Sequence, residues 1–219
     1  MAPATFESIA DRKSQLIRKG IKGAVLVGKY GTAPLITTLV ATGGQIELPG
    51  TYESAGWLST DGATKAQNRT LSAINGWGST SVLRQDITAD EKSLQFSMIE
   101  DRRVARELHE GIDLSGAQMS IAGELKYDIP DRPAVQYWRA VEIIADNDGA
   151  ELVYLATAYH KAVVGDTGDV VEANGDDPIT RQVTLNAVPD DVTGTLGTNF
   201  IFGPGALLYA DAMGYTIES

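Results

Sequence analysis

The stretch from Val135 to Val164, VQYWRAVEIIADNDGAELVYLATAYHKAVV, decides how this chain is read. Two runs rich in β-branched and aromatic residues, Val135–Ala145 and Glu151–Val164, flank Asp146-Asn147-Asp148-Gly149. Asp and Asn tolerate positive φ and glycine takes it without steric cost, which is what a tight reversal between antiparallel strands demands. The spacing predicts a β-hairpin.

Working outward, Ile179–Val188 alternates: Ile179, Arg181, Val183, Leu185 and Ala187 point one way, and Thr180, Gln182, Thr184 and Asn186 the other. A whole strand face of short polar side chains suits water or a polar channel better than a core. Ser93–Met98 also alternates, with Leu94, Phe96 and Met98 on one face. Further strands are expected at Ala24–Val27, Ser54–Ser59, Ala63–Leu71 and Val82–Thr88, with a turn at Thr88–Glu91 joining the last to Ser93–Met98. One internal helix is expected at 101–110, capped by Asp101, carrying Val104, Ala105 and Leu108 on one side and ended by Gly111. Residues 5–19 could form an amphipathic helix through Phe6, Ile9, Ala10, Leu16 and Ile17. Residues 29–50 form a long polar connection holding the apolar patch Pro34-Leu35-Ile36; residues 112–134, with Pro130 and Pro133, read as irregular. The tail past Val192 is glycine-rich with scattered aromatics, as an arm or docking segment would be. The βαβ alternation of a nucleotide-binding sheet is missing. The fold class is therefore mainly β: an antiparallel sandwich or barrel with one short flanking α-helix, a long loop and extended terminal arms.

At 219 residues the chain can bury a sizeable core, so neither a disulfide nor a metal is needed to hold it. It has no cysteine, two histidines and a net charge of −11. That balance excludes thiolate chemistry, makes a multi-histidine metal centre improbable and argues against a general nucleic-acid binder, which is usually basic. With no apolar run of membrane-spanning length and no secretory apolar core after Met1-Ala2-Pro3, a soluble protein of a reducing cytoplasm is expected. The charge is unevenly spread. Residues 1–30 hold six lysines and arginines against two acids, and residues 146–191 hold ten acids against two basic residues. Two solvated faces explain this as well as copies meeting head to tail.

No enzyme signature emerges. Gly76-Trp77-Gly78-Ser79 lacks the spacing of a nucleophile elbow. His109 and His160 have no triad partners at telling spacings and read as surface or rim residues. Phosphate loops and dinucleotide fingerprints are missing. The acids Asp166, Asp169, Glu172, Asp176 and Asp177 do not follow the alternating donors of an EF-hand, so a solvated loop is favoured over a Ca²⁺ site. Trp57, Trp77 and Trp138 read as core or interface anchors, since no basic residues interleave them as a base-stacking platform requires. No catalytic residue, cofactor or metal is expected.

One ordered set of segments carries a resemblance: Gly23-Ala24-Val25-Leu26-Val27, Gly31-Thr32-Ala33-Pro34, Leu48-Pro49-Gly50, the run from Ser54 to Thr64 (SAGWLSTDGAT), Ile74-Asn75-Gly76-Trp77-Gly78, Val82-Leu83-Arg84 and Phe96-Ser97-Met98-Ile99-Glu100. Together they resemble the major tail protein, or tail tube protein, of long-tailed bacteriophages. The resemblance is densest over residues 23–111, loose through the 135–188 strands and weak at both ends. It implies a β-sandwich or barrel flanked by one helix, six copies in a ring, and rings stacked into a hollow tube through which the genome passes. The internal helix would be the family's single helix, and residues 29–50 its long inter-ring loop.

On that basis the chain divides into an N-terminal arm or helix (1–20), a tail tube β domain (21–190) and a C-terminal arm (191–219). Tyr30, Pro34, Leu35 and Ile36 are expected to contact an adjacent ring, as an apolar patch in a polar loop would be a liability on a lone chain. Thr180, Gln182, Thr184 and Asn186 are expected to face the lumen, their neutral groups hydrated and unable to hold a phosphate. Two readings of Glu142 stay open, an inward-facing acid on the 135–164 hairpin or a paired rim carboxylate. The expected partners are other copies of the chain, a tape measure protein in the lumen, terminator and distal tail proteins at the ends, and double-stranded DNA passing without specific binding; no membrane is involved. The expected location is the virion, after synthesis in the host cytoplasm. The alternatives are another tail-ring protein, or a small-molecule β-barrel whose pocket the polar face of Ile179–Val188 would line.

Overall fold

The computed structural model describes residues 5–41, 45–172 and 175–218. In chain order the elements are α1 (Phe6–Ala10), β1 (Lys22–Lys29), β2 (Glu53–Ser54), β3 (Leu58–Asn75), β4 (Val82–Met98), α2 (Arg103–Glu110), β5 (Tyr137–Asp146), β6 (Val153–Thr167), β7 (Arg181–Ala187), β8 (Gly197–Phe202) and α3 (Pro204–Leu208). The strands form one antiparallel sheet in the order β2-β1-β5-β6-β7-β4-β3, with β8 added to β6. The fold is mainly β, as the alternation predicts.

The hairpin at its centre forms as expected. β5 and β6 pair from Tyr137↔Val163 to Asp146↔Val153. Their connection uses positive φ at Asn147 (62°) and Gly149 (59°). Both faces of this hairpin are covered, which explains its almost unbroken apolar sequence. On one face the sheet curls round a core of Val25, Val27, Leu94, Phe96, Met98, Trp138, Ala140, Val183 and Leu185, closed at one side by Val104, Ala105 and Leu108 of α2. The other face carries a second core, in which Val141, Ile143, Ala156, Ala158 and Phe202 meet Ala33, Ile36 and Leu39 from the long connection and Tyr52 just after it. Residues 29–50 are therefore largely a cover laid over the sheet, with 42–44 outside the described residues. Gly28 shows how close the cover lies: a Cβ there would stand 2.5 Å from Ala33 Cβ.

Several expectations need correction. The turn expected at Thr88–Glu91 does not exist, because Val82–Met98 is a single strand paired with β3 all the way to Asn75↔Val82, and the reversal lies at 76–81. Charged residues inside a strand suggested a turn, yet here they pair across the ribbon: Asp90 accepts hydrogen bonds from Gln67 and Arg69 of the opposite strand. The expected strand Ser54–Ser59 is interrupted by Gly56 at φ 82°. The helix at 5–19 shrinks to Phe6–Ala10 and a 3₁₀ turn at Ser14–Leu16. Asp11 at φ 38° breaks it, and a helix this short with no core beneath it has little to sustain it. At α2 the N-cap position is Arg102 and makes no side-chain cap, while Asp101 pairs with Arg106 and Arg181; Gly111 ends the helix at φ 67° as expected. The segment past 191 is only partly an arm, since β8 pairs Tyr154↔Phe202 through Tyr159↔Gly197.

Candidate assembly surfaces

The polar face predicted on β7 is present. Val183 and Leu185 are fully buried, whereas Thr180, Gln182 and Thr184 are half-buried and Asn186 is exposed on the opposite face. The register sets Ser93, Gln95 and Ser97 of β4 beside Asn186, Thr184 and Gln182. Gln95 Nε2 donates to Thr184 Oγ1 at 3.3 Å. Thr64 and Ala66 of β3 extend the same face. Gly165 leaves room for the Asn186 amide, which a Cβ there would meet at 2.0 Å. The β4–β7 part of this face carries no charge, and Asp166 borders it on β6 opposite Thr184. Such a surface stays hydrated through hydroxyls and amides and gives phosphate no cation to hold.

Glu142 is not on that face. It alternates with Val141 and Ile143 and so points, like Trp138 and Ala140, into the curled sheet; it is 1% exposed. Lys65 from β3 reaches across to place Nζ 2.8 Å from Glu142 Oε2. The approach is off the hydrogen-bonding angle, so the contact is an ion pair and neither carboxylate oxygen has a hydrogen-bond donor among the described protein groups. Glu142 is thus paired, but buried inside the chain and not at a rim. Both faces of the 135–164 hairpin lie against core within this chain.

The four loop residues separate. Ile36 is 4% exposed within the chain's own second core, so it is not free to meet another ring. Leu35 is half-buried and Pro34 exposed. Tyr30 is half-buried and engaged at home: its hydroxyl donates to Asp191 at 3.2 Å, its ring packs edge-on to Tyr137, and Arg139 and Lys161 lie over it at 4.9 Å each. The apolar patch arose from covering the sheet, which sequence spacing alone does not distinguish from an exposed patch.

Beside Tyr30 lies a polar cluster that sequence reasoning missed. Asp190 and Arg139 form a buried pair at 3.3 Å. The backbone N–H groups of Thr193 and Val192 also bond Asp190, and they help hold its carboxyl down to about 2. His160, expected on the rim, is 5% exposed. Its ring nitrogens contact the hydroxyls of Thr195 at 2.8 Å and Thr198 at 2.9 Å, and burial pushes the imidazole below its ordinary value. It is a satisfied interior histidine.

The largest surprise is the β3–β4 ribbon. No residue between Gly56 and Ser93 is buried. Its distal half exposes Leu71 (51%), Ile74 (51%), Val82 (46%), Leu83 (66%) and Ile87 (58%), and Trp77 at the tip is fully exposed. A two-stranded ribbon without a core is marginal in water by itself. Its apolar residues are scattered along a polar sequence, so no single window announces it. The signal available was Trp77 between Gly76 and Gly78 at the centre of two strand-like runs.

A cleft of about 690 Å³ separates the base of this ribbon (Lys65, Gln67, Lys92) from Leu155, Thr157 and Asn199. Neither it nor the two other clefts described is lined by Gln182, Thr184 or Asn186. The curled sheet is itself filled by side chains. Among the described residues there is no group of three or more His, Asp or Glu placed to hold a metal, and no helix long and apolar enough to cross a membrane.

No known family model matches the chain. No curated protein matches it either. Among solved structures, the crystal structure of an Hcp protein aligns over 81% of this chain and 97% of its own, at 8% identity and a TM-score of 0.32. A likeness that slight carries no argument about function.

Proposed function

We propose that this chain is a structural subunit that assembles with copies of itself into hexameric rings stacked as a hollow tube, in the manner of a long-tailed phage's tail tube. The observation that carries the reading is the β3–β4 ribbon, which presents six large apolar side chains and has no core of its own. Covering them on a neighbouring copy would supply the burial that an isolated ribbon lacks. The uncharged β4–β7 face supports the assignment of a water-filled lumen lined by Thr180, Gln182, Thr184 and Asn186. Each ring would carry six times the chain's −11 charge, which disfavours adhesion of DNA in transit. The ordered resemblance over residues 23–111 supports a phage tail as the setting, with the virion as location and tape measure, terminator and distal tail proteins as partners. The reading needs no catalytic group, cofactor or metal.

Sedimentation velocity on the purified chain tests it. The expected result is a species of six times the 23.3 kDa chain mass, with larger stacked species as concentration rises. A ring that never stacks would point to a terminator or distal tail component, and a monomer at all concentrations would overturn self-assembly.

A further inference from the structure

A groove of about 750 Å³ lies at the C-terminal end of the chain, between Phe202, Leu207, Ala210, Met213, Tyr215 and Ile217. Leu207, Tyr215 and Ile217 are each at least 60% exposed there. At the other end of the chain the N-terminal segment has the opposite problem: Phe6 (67%), Ile9 (71%) and Ile17 (78%) are large apolar side chains left exposed, with Arg12 lying 5.4 Å over the Phe6 ring. We propose that the N-terminal segment of one copy docks in this groove on the neighbouring copy, with Phe6 and Ile9 as its anchors.

Three observations select this occupant. The first is charge. Residues 12–22 carry Arg12, Lys13, Arg18, Lys19 and Lys22, whereas from Gln182 to Ser219 there is no lysine or arginine, and Glu218 lines the groove. The second is level. Ile21 bonds Ala145 at the start of β1, Ala145 pairs with Tyr154, and Tyr154 pairs with Phe202 at the end of β8. Segment and groove thus leave the sheet at the same strand level, so side-by-side copies with parallel strands bring one against the other. The third is that the segment's own groove does not take its apolar side chains. Lys13 Nζ donates to the Ala212 carbonyl at 3.3 Å and Arg18 lies 5.2 Å over the Tyr209 ring, which fixes the segment beside the groove while Ile9 and Ile17 stay exposed. A heterologous contact of this kind closes into a ring when the rotation permits. The inference rests on the self-assembly reading and adds the surface that joins copies within a ring.

The absence of cysteine from the sequence gives a clean test. Ile9→Cys and Leu207→Cys are made in separate chains, mixed, and oxidised under assembling conditions. A covalent species of two chains that is at least ten-fold more abundant in the mixture than in either variant alone supports docking between copies. The same yield should fall at least ten-fold when Phe6→Asp is added to the Ile9→Cys chain. If rings form but the mixture gives no such species, or the double variant on one chain closes only within itself, the inference is wrong and the self-assembly reading survives. If no oligomer of the unmodified chain forms under any condition, both fall. Circular dichroism on each variant confirms that these exposed substitutions leave the fold intact.

Discussion

Replacing residues 69–90 with Asn-Gly closes the β3–β4 ribbon at the Asn68↔Glu91 pair with a turn suited to two-residue hairpins. No buried residue is removed, so neither core loses a member. The Arg69–Asp90 pair is lost, but exposed pairs of this kind contribute at most about 1 kcal/mol. The melting temperature should therefore move by less than about 4 °C for a chain of this size. Association should change far more. Covering the exposed half of five aliphatic side chains contributes roughly 1 kcal/mol each, and about 200 Å² of Trp77 adds roughly 5 kcal/mol at ~25 cal/mol/Å². Ordering and rigid-body costs consume much of that gross ~10 kcal/mol. If only about 3 kcal/mol survives per contact, its loss weakens each contact roughly a hundred-fold. Differential scanning calorimetry measures the first effect and sedimentation velocity the second. A shortened chain that assembles at the same concentration as the full one would refute the ribbon's role. A shortened chain that melts more than about 10 °C lower would refute its independence from the core.

Other consequences follow from single groups. Lys65→Met strands the Glu142 carboxylate inside the sheet and should destabilise the chain by about 3 kcal/mol, the low end for a buried pair because Lys65 is 41% exposed; adding Glu142→Leu should recover most of it in urea unfolding. Asp190, held at about 2 against an ordinary 3.8, stabilises the fold above its unfolded value, and that contribution is lost as pH falls from about 4 towards 2; Asp190→Asn should flatten the acid limb of a stability-against-pH curve. Thr184→Lys with Asn186→Lys should leave assembly intact and slow DNA passage at low salt, with the defect easing as salt screens the phosphate contacts; a normal rate in low salt would remove this face from the lumen.

The central hairpin, the polar face of β7 and α2 were legible because each obeys a local rule: turn chemistry, period-two alternation, and an apolar side ended by a left-handed glycine. The remainder was hidden because it depends on what lies opposite. Pro34-Leu35-Ile36 looks the same whether it meets another chain or its own sheet, and only the second core distinguishes them. Glu142 looked like a surface acid because its partner, Lys65, comes from a strand 77 positions earlier in the sequence. The ribbon was misread as separate short strands because Asp90 and Glu91 mimic a turn, and because a ribbon solvated on both faces shows no hydrophobic period. His160 was misplaced since its satisfying hydroxyls, Thr195 and Thr198, arrive from the β7–β8 connection and β8.

Electron cryomicroscopy of the assembled chain is the most direct test of the account. It predicts stacked six-membered rings around an open channel, with Thr184 and Asn186 on the channel wall, Glu142 inside the subunit and Trp77 covered by a neighbouring copy. Particles without a channel, or a channel lined by another face while Trp77 stays in solvent, would contradict it.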